Sequence, residues 1–253
     1  MSKEGEIADE PGYESLADEV LFRPVRNGNA FEDTVARLLQ TIRLGIVEPG
    51  GALPSERELA GRFSVSRDTV REAIRSLSDA GFLVAKRGRY GGTFVSDTLP
   101  APGRLDTPDA ELVTPTSADI DDVLGLRDIL EVGAARAAAA RSLSAAERDQ
   151  LWTRLKETAA ASITDYRRLD SRLHLTIGEL VGTPSLVSLL ADNRTLVNRL
   201  LDTIPLLPRN IEHSNEQHET IVIAILTGDI DRAGDAMLEH LAGSGALLRG
   251  FLS

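Results

Sequence analysis

Apolar residues recur with the period of an α-helix along most of the chain, and a clear case lies near residue 70. The apolar positions there follow the spacing i, i+3, i+4 and i+7: Val70, Ala73, Ile74 and Leu77. This spacing predicts a helix that buries one stripe, with Ser66 as its amino-terminal cap. Ser55 precedes Glu58 by three positions. That is the spacing of a capping box, and it predicts a second, shorter helix just before the first.

A third helix is predicted ahead of this pair, and a β-hairpin after it. Residues from Asn29 to Gly45 carry an apolar stripe that ends at the glycine. Gly81 stands where a left-handed residue would end the preceding helix, and two short apolar runs follow, separated by the glycine-rich loop KRGRYGG. Three helices and a hairpin in this order predict a winged helix-turn-helix domain over residues 25–96.

Once the apolar stripes are buried, the remaining faces of this domain are rich in arginine. The residues left towards solvent on the later helix of the pair and in the hairpin loop are Arg67, Thr69, Arg71, Arg75, Arg87 and Arg89. Recognition helices present their first turns to the major groove, and arginine can bond guanine with two hydrogen bonds, so we interpret this face as a DNA-binding surface. The alternative is that these arginines are solvated charges paired with Asp68 and Glu72.

The net charge of the chain is −11, but the charge is unevenly distributed. Residues 54–96 contain eight Lys and Arg against five Asp and Glu, whereas residues 1–20 contain one against seven. The basic face would therefore attract DNA while the acidic remainder repels it elsewhere. We predict that residues 1–24 form a disordered acidic tail and that the proline-rich residues 97–118 form a linker.

Composition excludes several other classes of protein. Cysteine is absent, which excludes disulfides, thiolate catalysis and cysteine-type zinc sites. No apolar run reaches the roughly 18–20 residues of a membrane span, and the first residues do not resemble a signal peptide. We therefore expect a cytoplasmic protein without a membrane partner.

Residues 119–253 show the helical period throughout, without the alternation that is typical of strands. Serine, glycine and proline clusters break the pattern at residues 142–144, 162–164, 182–184, 205–208 and 228–229. We therefore predict a mainly α protein whose second domain is an all-α bundle of six or seven helices.

Three of the four histidines and one aspartate of this second domain form a candidate metal site: Asp170, His174, His218 and His240. The first two are four residues apart and share one helix face. The other two lie ten and twelve residues from Gly228, at a turn that would fold their helices antiparallel and bring them to one level. Three imidazoles and a carboxylate suit a divalent metal, Zn²⁺ first, with Ni²⁺ or Mn²⁺ as alternatives. The simpler alternative is a set of buried core histidines, and His213 is expected in an exposed loop outside the site.

Residues 31–96 resemble the amino-terminal domain of GntR-family transcription regulators through LPSERELA, VSRDTVREAI and the hairpin. The residues to which this resemblance assigns DNA contacts are Arg57 in the first segment, Arg67, Thr69 and Arg71 in the second, and Arg87 with Gly88 at the hairpin tip. The full set of predicted DNA-contacting residues also includes Ser66, Arg75 and Arg89.

Residues 119–250 resemble the FadR-type carboxy-terminal domain of the same family, through Arg127…Glu131 and the aspartate and histidines described above. The resemblance implies that these four ligands bind a metal and that the metal holds a carboxylate of the effector. Arg127 either meets the same carboxylate or forms a helix-surface ion pair with Glu131 or Asp128. Weaker candidates for lining the effector cavity are polar residues of one helix: Asn193, Arg194 and Asn198.

The sequence therefore predicts a ligand-responsive, DNA-binding transcription regulator rather than an enzyme. We expect a homodimeric repressor that binds a palindromic operator and is released when a small organic acid binds at the metal. Two alternatives stay open. In one, the metal ion is itself the effector; in the other, the chain is a metal-dependent hydrolase whose ion activates water.

Overall fold

The structure is a computed structural model that describes residues 30–88, 91–100, 116–204 and 206–252. The predicted acidic tail, the central part of the predicted linker and Arg89 lie outside the described residues. Within them, the chain has the predicted architecture of a winged helix-turn-helix followed by an all-α domain.

The amino-terminal domain consists of three helices and a two-stranded antiparallel hairpin: α1 (Ala30–Arg43), α2 (Glu56–Phe63), α3 (Arg67–Asp79), β1 (Leu83–Lys86) and β2 (Gly92–Val95). Leu83 pairs with Val95 at one end of the hairpin, and Lys86 pairs with Gly92 at the other end. The apolar faces of the three helices meet in one core around Leu38, Phe63 and Val70, all fully buried. This packing leaves the polar face of α3 in solvent.

Ser55 and Ser66 cap the amino-terminal ends of α2 and α3, and the capping interaction predicted at Ser55 is only half formed. The Ser66 hydroxyl accepts a hydrogen bond from Thr69 N at 3.0 Å, which confirms the predicted cap of α3. Ser55 accepts from Glu58 N at 3.3 Å, but the Glu58 carboxylate accepts from Arg62 at 2.8 Å, within its own helix. The prediction that the Glu58 carboxylate would in return accept a hydrogen bond from the Ser55 backbone N–H is therefore wrong. Arg62, one turn later, binds the carboxylate instead.

The carboxy-terminal domain consists, within the described residues, of six helices: α4 (Ser117–Ala139), α5 (Ala145–Ala159), α6 (Tyr166–Leu180), α7 (Pro184–Leu201), α8 (Pro208–Thr227) and α9 (Ile230–Leu252). Each of the five breaks predicted from the sequence falls at the junction between two consecutive helices. His213 lies in the second turn of α8, so its predicted loop position is wrong, although its side chain is exposed as expected. None of the described helices is long and apolar enough to span a membrane.

The two domains pack against each other through the carboxy-terminal end of α1. Leu44 is buried within the apolar core of the helical domain rather than that of its own domain. On the same side, Gln40 donates hydrogen bonds to Asp192 Oδ1 and Thr195 Oγ1 on α7, each at 3.1 Å, and Arg37 pairs with Asp192 at 3.2 Å. Helix α7 therefore contacts the amino-terminal domain directly.

Candidate metal centre and DNA-reading surface

Four side chains from three helices meet in the interior of the helical domain, and they are the predicted set: Asp170 and His174 on α6, His218 on α8 and His240 on α9. One ligand atom from each lies within 4.8 Å of the others. Gly228, with a φ of 76°, ends α8 and allows the tight reversal into α9. The reversal places the two later histidines side by side, as their distances from the turn predict.

The separations between these atoms match those around a single metal ion. His218 Nε2 lies 3.3 Å from His174 Nε2, 3.2 Å from His240 Nε2 and 3.3 Å from Asp170 Oδ1. Ligands held about 2.0–2.1 Å from a tetrahedral zinc ion are separated from one another by roughly 3.3–3.4 Å. The spacing of the cluster therefore fits a first-row divalent ion.

Hydrogen bonds behind the histidines direct their unprotonated nitrogens towards the centre. His174 Nδ1 donates to the Glu131 carboxylate, and His240 Nδ1 donates to Gln217 Oε1 at 3.1 Å. Each of these bonds places the proton on Nδ1 and leaves the Nε2 lone pair facing the cluster, an arrangement common behind metal-bound histidines. His218 Nε2 could donate to only one of its two imidazole neighbours, so hydrogen bonding alone does not satisfy the cluster.

The buried environment favours the neutral forms of His218 and His240. Burial, together with the charges of His174 and Arg194, holds the pKa of His218 well below its usual value. Burial and the other two histidines have the same effect on the pKa of His240. His218 Nδ1 is buried and has no hydrogen-bond partner among the described residues, which the alternative of satisfied core histidines does not explain. The donor set therefore fits a metal ion.

A charged network that sequence reasoning did not foresee surrounds the centre. Glu131 accepts from Arg127 Nε at 2.9 Å and from Arg194 at 3.4 Å, besides His174. Burial alone would raise the pKa of Glu131, but these three partners together hold it well below its usual value. Arg194 also pairs with Asp170; burial lowers the pKa of Arg194 to about 10, so it stays charged at neutral pH.

The predicted effector-binding residues occupy three different environments. Arg127 pairs with Glu131, as one alternative proposed, but it is 2% exposed rather than on the helix surface, and it also donates to Ser244 Oγ at 2.7 Å. Asn193 donates to the carbonyl of Val123 at 3.0 Å. Asn198 donates to Ser171 Oγ at 2.8 Å and borders a cleft between the domains. Arg127 reaches the His/Asp cluster through Glu131, whereas Arg194, the remaining candidate, pairs directly with Asp170.

Replacing Glu131 by glutamine should weaken metal binding, because the neutral amide is a poorer acceptor for the His174 Nδ1–H. Partners of this kind contribute about 10–100-fold to metal affinity. Competition with a chromophoric chelator measures the change in zinc affinity. Glu216→Gln, at an exposed position on α8, is the matched control and should bind zinc as the unaltered chain does. Equal zinc affinities for the two variants would contradict this role for Glu131.

Acidification should destabilise the metal-free protein. In the unfolded chain His218 and His240 take up protons near 6.5, whereas in the folded protein their pKa values are well below this value. The unfolded state therefore binds more protons below about pH 6.5, and the free energy of unfolding falls as pH decreases from there, by up to about 1.4 kcal/mol per pH unit for each histidine.

Urea unfolding with a chelator present, between pH 8 and pH 5.5, measures this dependence. The double variant His218→Gln, His240→Gln should show a flatter profile, whereas His213→Gln, at an exposed position, should keep the slope. Unfolding that is independent of pH in the unaltered chain would contradict the expectation.

The predicted DNA-contacting residues within the described part of the chain lie on the free face of α3, at the start of α2 and at the hairpin tip. Arg57, Arg67 and Arg75 are exposed, and none of them pairs with a carboxylate of the described residues. Arg71 pairs with Asp68 at 2.9 Å and with Glu56 at 3.2 Å, so for this arginine the alternative of a surface ion pair holds in part.

The start of α3 and the hairpin tip complete this surface. Thr69 is half-buried, and its hydroxyl bonds that of Ser66 at 2.8 Å. Arg87 and Gly88 lie exposed at the hairpin tip, where Gly88 has a φ of 110° that favours glycine. The exposed guanidinium groups and the hairpin tip together form a surface of the kind that enters adjacent grooves of DNA.

Comparison with known proteins gives two family matches along the chain. Residues 31–95 match the family described as "Bacterial regulatory proteins, gntR family", and residues 122–243 match the FCD domain. The first match covers α1 to β2, and the second contains all four residues of the His/Asp cluster.

Individual relatives share both domains with this chain. It is 30% identical over 234 residues to an Escherichia coli (strain K12) protein named for regulation of an L-lactate dehydrogenase operon, covering 87% of this chain and 85% of that protein. It is 29% identical to the transcriptional repressor NanR of Salmonella schwarzengrund, with 90% and 87% covered. Among solved structures, Escherichia coli McbR/YncC shares the fold, with a TM-score of 0.55 and 16% identity over 88% of this chain and 99% of that chain. The first two of these relatives are named as regulators of transcription or of an operon.

Proposed function

The chain belongs to the GntR family of transcription regulators, with a DNA-binding amino-terminal domain and a ligand-binding FCD domain, and from this premise we propose that it is a metal-dependent, carboxylate-released repressor. In this proposal a homodimer binds a palindromic operator, and a small organic acid bound at the metal lowers its affinity for DNA. The observation that carries the proposal is the buried cluster of Asp170, His174, His218 and His240 in the domain that follows the DNA-reading surface.

The residues of the cluster would hold the ion, and their surroundings suit a carboxylate effector. A bound divalent ion supplies a positive charge that a carboxylate can ligate. Arg127 uses two of its five N–H donors on Glu131 and Ser244, so further donors remain for an incoming carboxylate. We therefore place the effector's acid group between the metal ligands and Arg127.

Helix α7 offers a physical connection from this centre to the DNA-binding domain. Arg194 on α7 pairs with the metal-ligating Asp170. One and two residues away along the same helix, Thr195 and Asp192 accept hydrogen bonds from Gln40 on α1. An effector that binds more tightly to one position of α7 than to another would shift the DNA-binding domain, since only such differential binding can drive a conformational change.

Exposed apolar side chains support a dimer through the helical domain. Ile129 is 74% exposed and Leu126, three residues earlier on the same face of α4, is 42% exposed. On α9, which packs along α4, Phe251 is 51% exposed. We propose that a second copy of the chain covers this surface, which places two copies of α3 at the spacing of successive major grooves.

The test begins with the full-length, zinc-loaded protein selecting its own binding site from random duplex DNA. We expect a palindrome whose half-sites lie about one helical turn apart. Fluorescence anisotropy then measures operator affinity with short carboxylates. L-lactate is the first to test, because one relative is named for an L-lactate dehydrogenase operon. At least one acid should weaken binding about tenfold or more, in line with typical coupling energies.

Chelation separates this proposal from metal sensing. Under the proposal the acid has no effect once a chelator has removed the metal. If metal removal alone changes operator affinity and no acid does so, the ion itself is the effector. An acid that acts equally on the metal-free protein would contradict a metal-bound effector.

A further inference from the structure

A cleft of about 440 Å³ lies between the two domains, separate from the His/Asp cluster. The DNA-binding domain contributes Arg43 and Phe82 to its lining, and the helical domain contributes Arg168 and Arg199. A volume of this size is in the range of small-molecule sites, which are often found where two domains meet.

The charge of the cleft is strongly positive. Four arginines line it, against one carboxylate: Arg43, Arg167, Arg168 and Arg199, with Asp202. The single carboxylate pairs with Arg167 at 3.2 Å and is thereby compensated. Arg43 and Arg199 pair with no carboxylate in the described part of the chain, and burial and the neighbouring Arg199 contribute to lowering the pKa of Arg43. Arg168 is likewise paired with Asp165, and Asp202 also interacts with Arg43, so the guanidinium groups of the cleft without a paired carboxylate among the described residues are those of Arg43 and Arg199.

Two buried polar atoms of the cleft have no hydrogen-bond partner among the described residues: Arg168 Nε and Asn198 Oδ1. The first is a charged donor, and an unsatisfied buried donor of this kind is costly to a folded protein. The other polar groups of both residues are engaged elsewhere: Arg168 pairs with Asp165 at the start of the same helix, and Asn198 donates to Ser171 on α6.

Apart from Thr164 and Thr195, the rest of the lining is apolar, which narrows the class of ligand. The apolar residues come from both domains and from the segment after the hairpin: Leu44, Phe82, Leu99, Pro100, Ile163, Ile204 and Leu206. The guanidinium of Arg43 lies 5.9 Å from the centre of the Phe82 ring, so charged and apolar parts of the cleft adjoin. An inorganic ion would satisfy the arginines but leave the apolar walls in contact with water.

We propose that this cleft is a second small-molecule site, which binds an amphipathic organic anion with a carboxylate or phosphate group and a short apolar body. The anionic group lies among Arg43, Arg168 and Arg199, and the apolar body packs on Phe82 and its neighbours. A ligand there bridges the two domains, since its contacts come from α1 and the hairpin on one side and from α6 and α7 on the other.

Isothermal titration of the full-length protein with hexanoate and hexyl phosphate tests the site, with a chelator present so that the His/Asp cluster holds no metal. We expect at least one of these anions to bind at one per chain, and hexanol and hexylamine to bind at least tenfold more weakly. Arg199→Gln and Arg43→Gln should each weaken anion binding about tenfold or more, because each removes a charge-assisted hydrogen bond. Arg148→Gln, at an exposed position on α5, is the matched control and should bind as the unaltered chain does.

Three results would overturn the proposal: no binding of either anion at 5 mM, equal binding of hexanol, or unchanged binding in Arg199→Gln. Arg199 is exposed, so Arg199→Gln is expected to fold. This variant therefore tests the site even if Arg43→Gln fails to fold. Because the titration is made without metal and without DNA, its outcome is independent of the proposed effector site. If no acid releases the protein from DNA in a metal-dependent way, the cleft proposal is unaffected. If the cleft binds no anion, the proposed effector site at the metal is unaffected.

Discussion

Replacing His218 by alanine is expected to leave the protein without bound zinc. The Nε2 atom of His218 lies within 3.3 Å of the ligand atoms of His174, His240 and Asp170, so its removal opens the middle of the cluster. Loss of a hydrogen-bond partner behind a ligand costs about 10–100-fold in metal affinity. Loss of the central ligand itself should therefore cost more than about 100-fold. Elemental analysis after gel filtration, and competition with a chromophoric chelator, measure zinc per chain and zinc affinity.

The matched control for this variant is His213→Ala on the same helix. The side chain of His213 is 66% exposed, and the imidazole lies 3.9 Å from the carboxylate of Glu216. This control should keep the zinc content and the carboxylate response of the unaltered chain, whereas His218→Ala should lose both. One zinc ion per chain in His218→Ala would show that the metal is bound elsewhere.

Replacing Arg67 by alanine is expected to cause a large loss of operator affinity. Arg67 lies in the first turn of α3, is exposed, and pairs with no carboxylate among the described residues, so its guanidinium is available to DNA. A good bidentate contact with guanine contributes about 1–3 kcal/mol. In a dimer the contact is made twice, so roughly 2–6 kcal/mol of binding free energy would be lost. Fluorescence anisotropy on the selected operator, at two or more salt concentrations, measures the change.

The salt dependence distinguishes base reading from simple phosphate contact. If Arg67 reads a base, the variant should lose discrimination between the operator and operators altered at one position of each half-site. If Arg67 only contacts phosphate, affinity should fall uniformly across sequences, and the slope of log affinity against log salt should decrease by about one per contact. Arg148→Ala, far along the chain on α5, controls for lost charge and should leave operator affinity unchanged. Operator affinity that is equal in the two variants would contradict a DNA contact by Arg67.

The periodicity and spacing of the sequence predict the helices, the breaks between them and the cluster of four candidate metal ligands. The stripe through Val70 and Leu77 is fully buried, and each predicted break in the helical domain separates two helices. These features depend on local backbone geometry and on which face of a helix is apolar. Both properties are set by residues within a few positions of each other. The loop position expected for His213 is wrong, because the polar stretch around it lacks the apolar periodicity that predicts a helix. Such a stretch can still be helical when the rest of the same helix packs against the core.

The partners of the charged residues could not be predicted in the same way. Glu58 was expected to cap α2 but pairs with Arg62, since two acceptable partners compete within one turn. Glu131 was identified only as a partner of Arg127 at i+4, whereas it also contacts Arg194 and His174 on other helices. Contacts of this kind depend on how helices distant in sequence pack, and the spacing along one helix carries no information about them.

The sequence alone predicted the winged helix-turn-helix, the breaks between the helices of the second domain and the four residues that cluster there, because periodicity and spacing suffice for each. Only the tertiary structure decided which residues surround the cluster and how the two domains meet. It buries Glu131 and two arginines behind the histidines, brings Arg194 to Asp170 of the cluster, and encloses an arginine-lined cleft between the domains. These arrangements join residues that are far apart in the chain. Their energies come from burial and from charges brought together by packing, which no local pattern encodes.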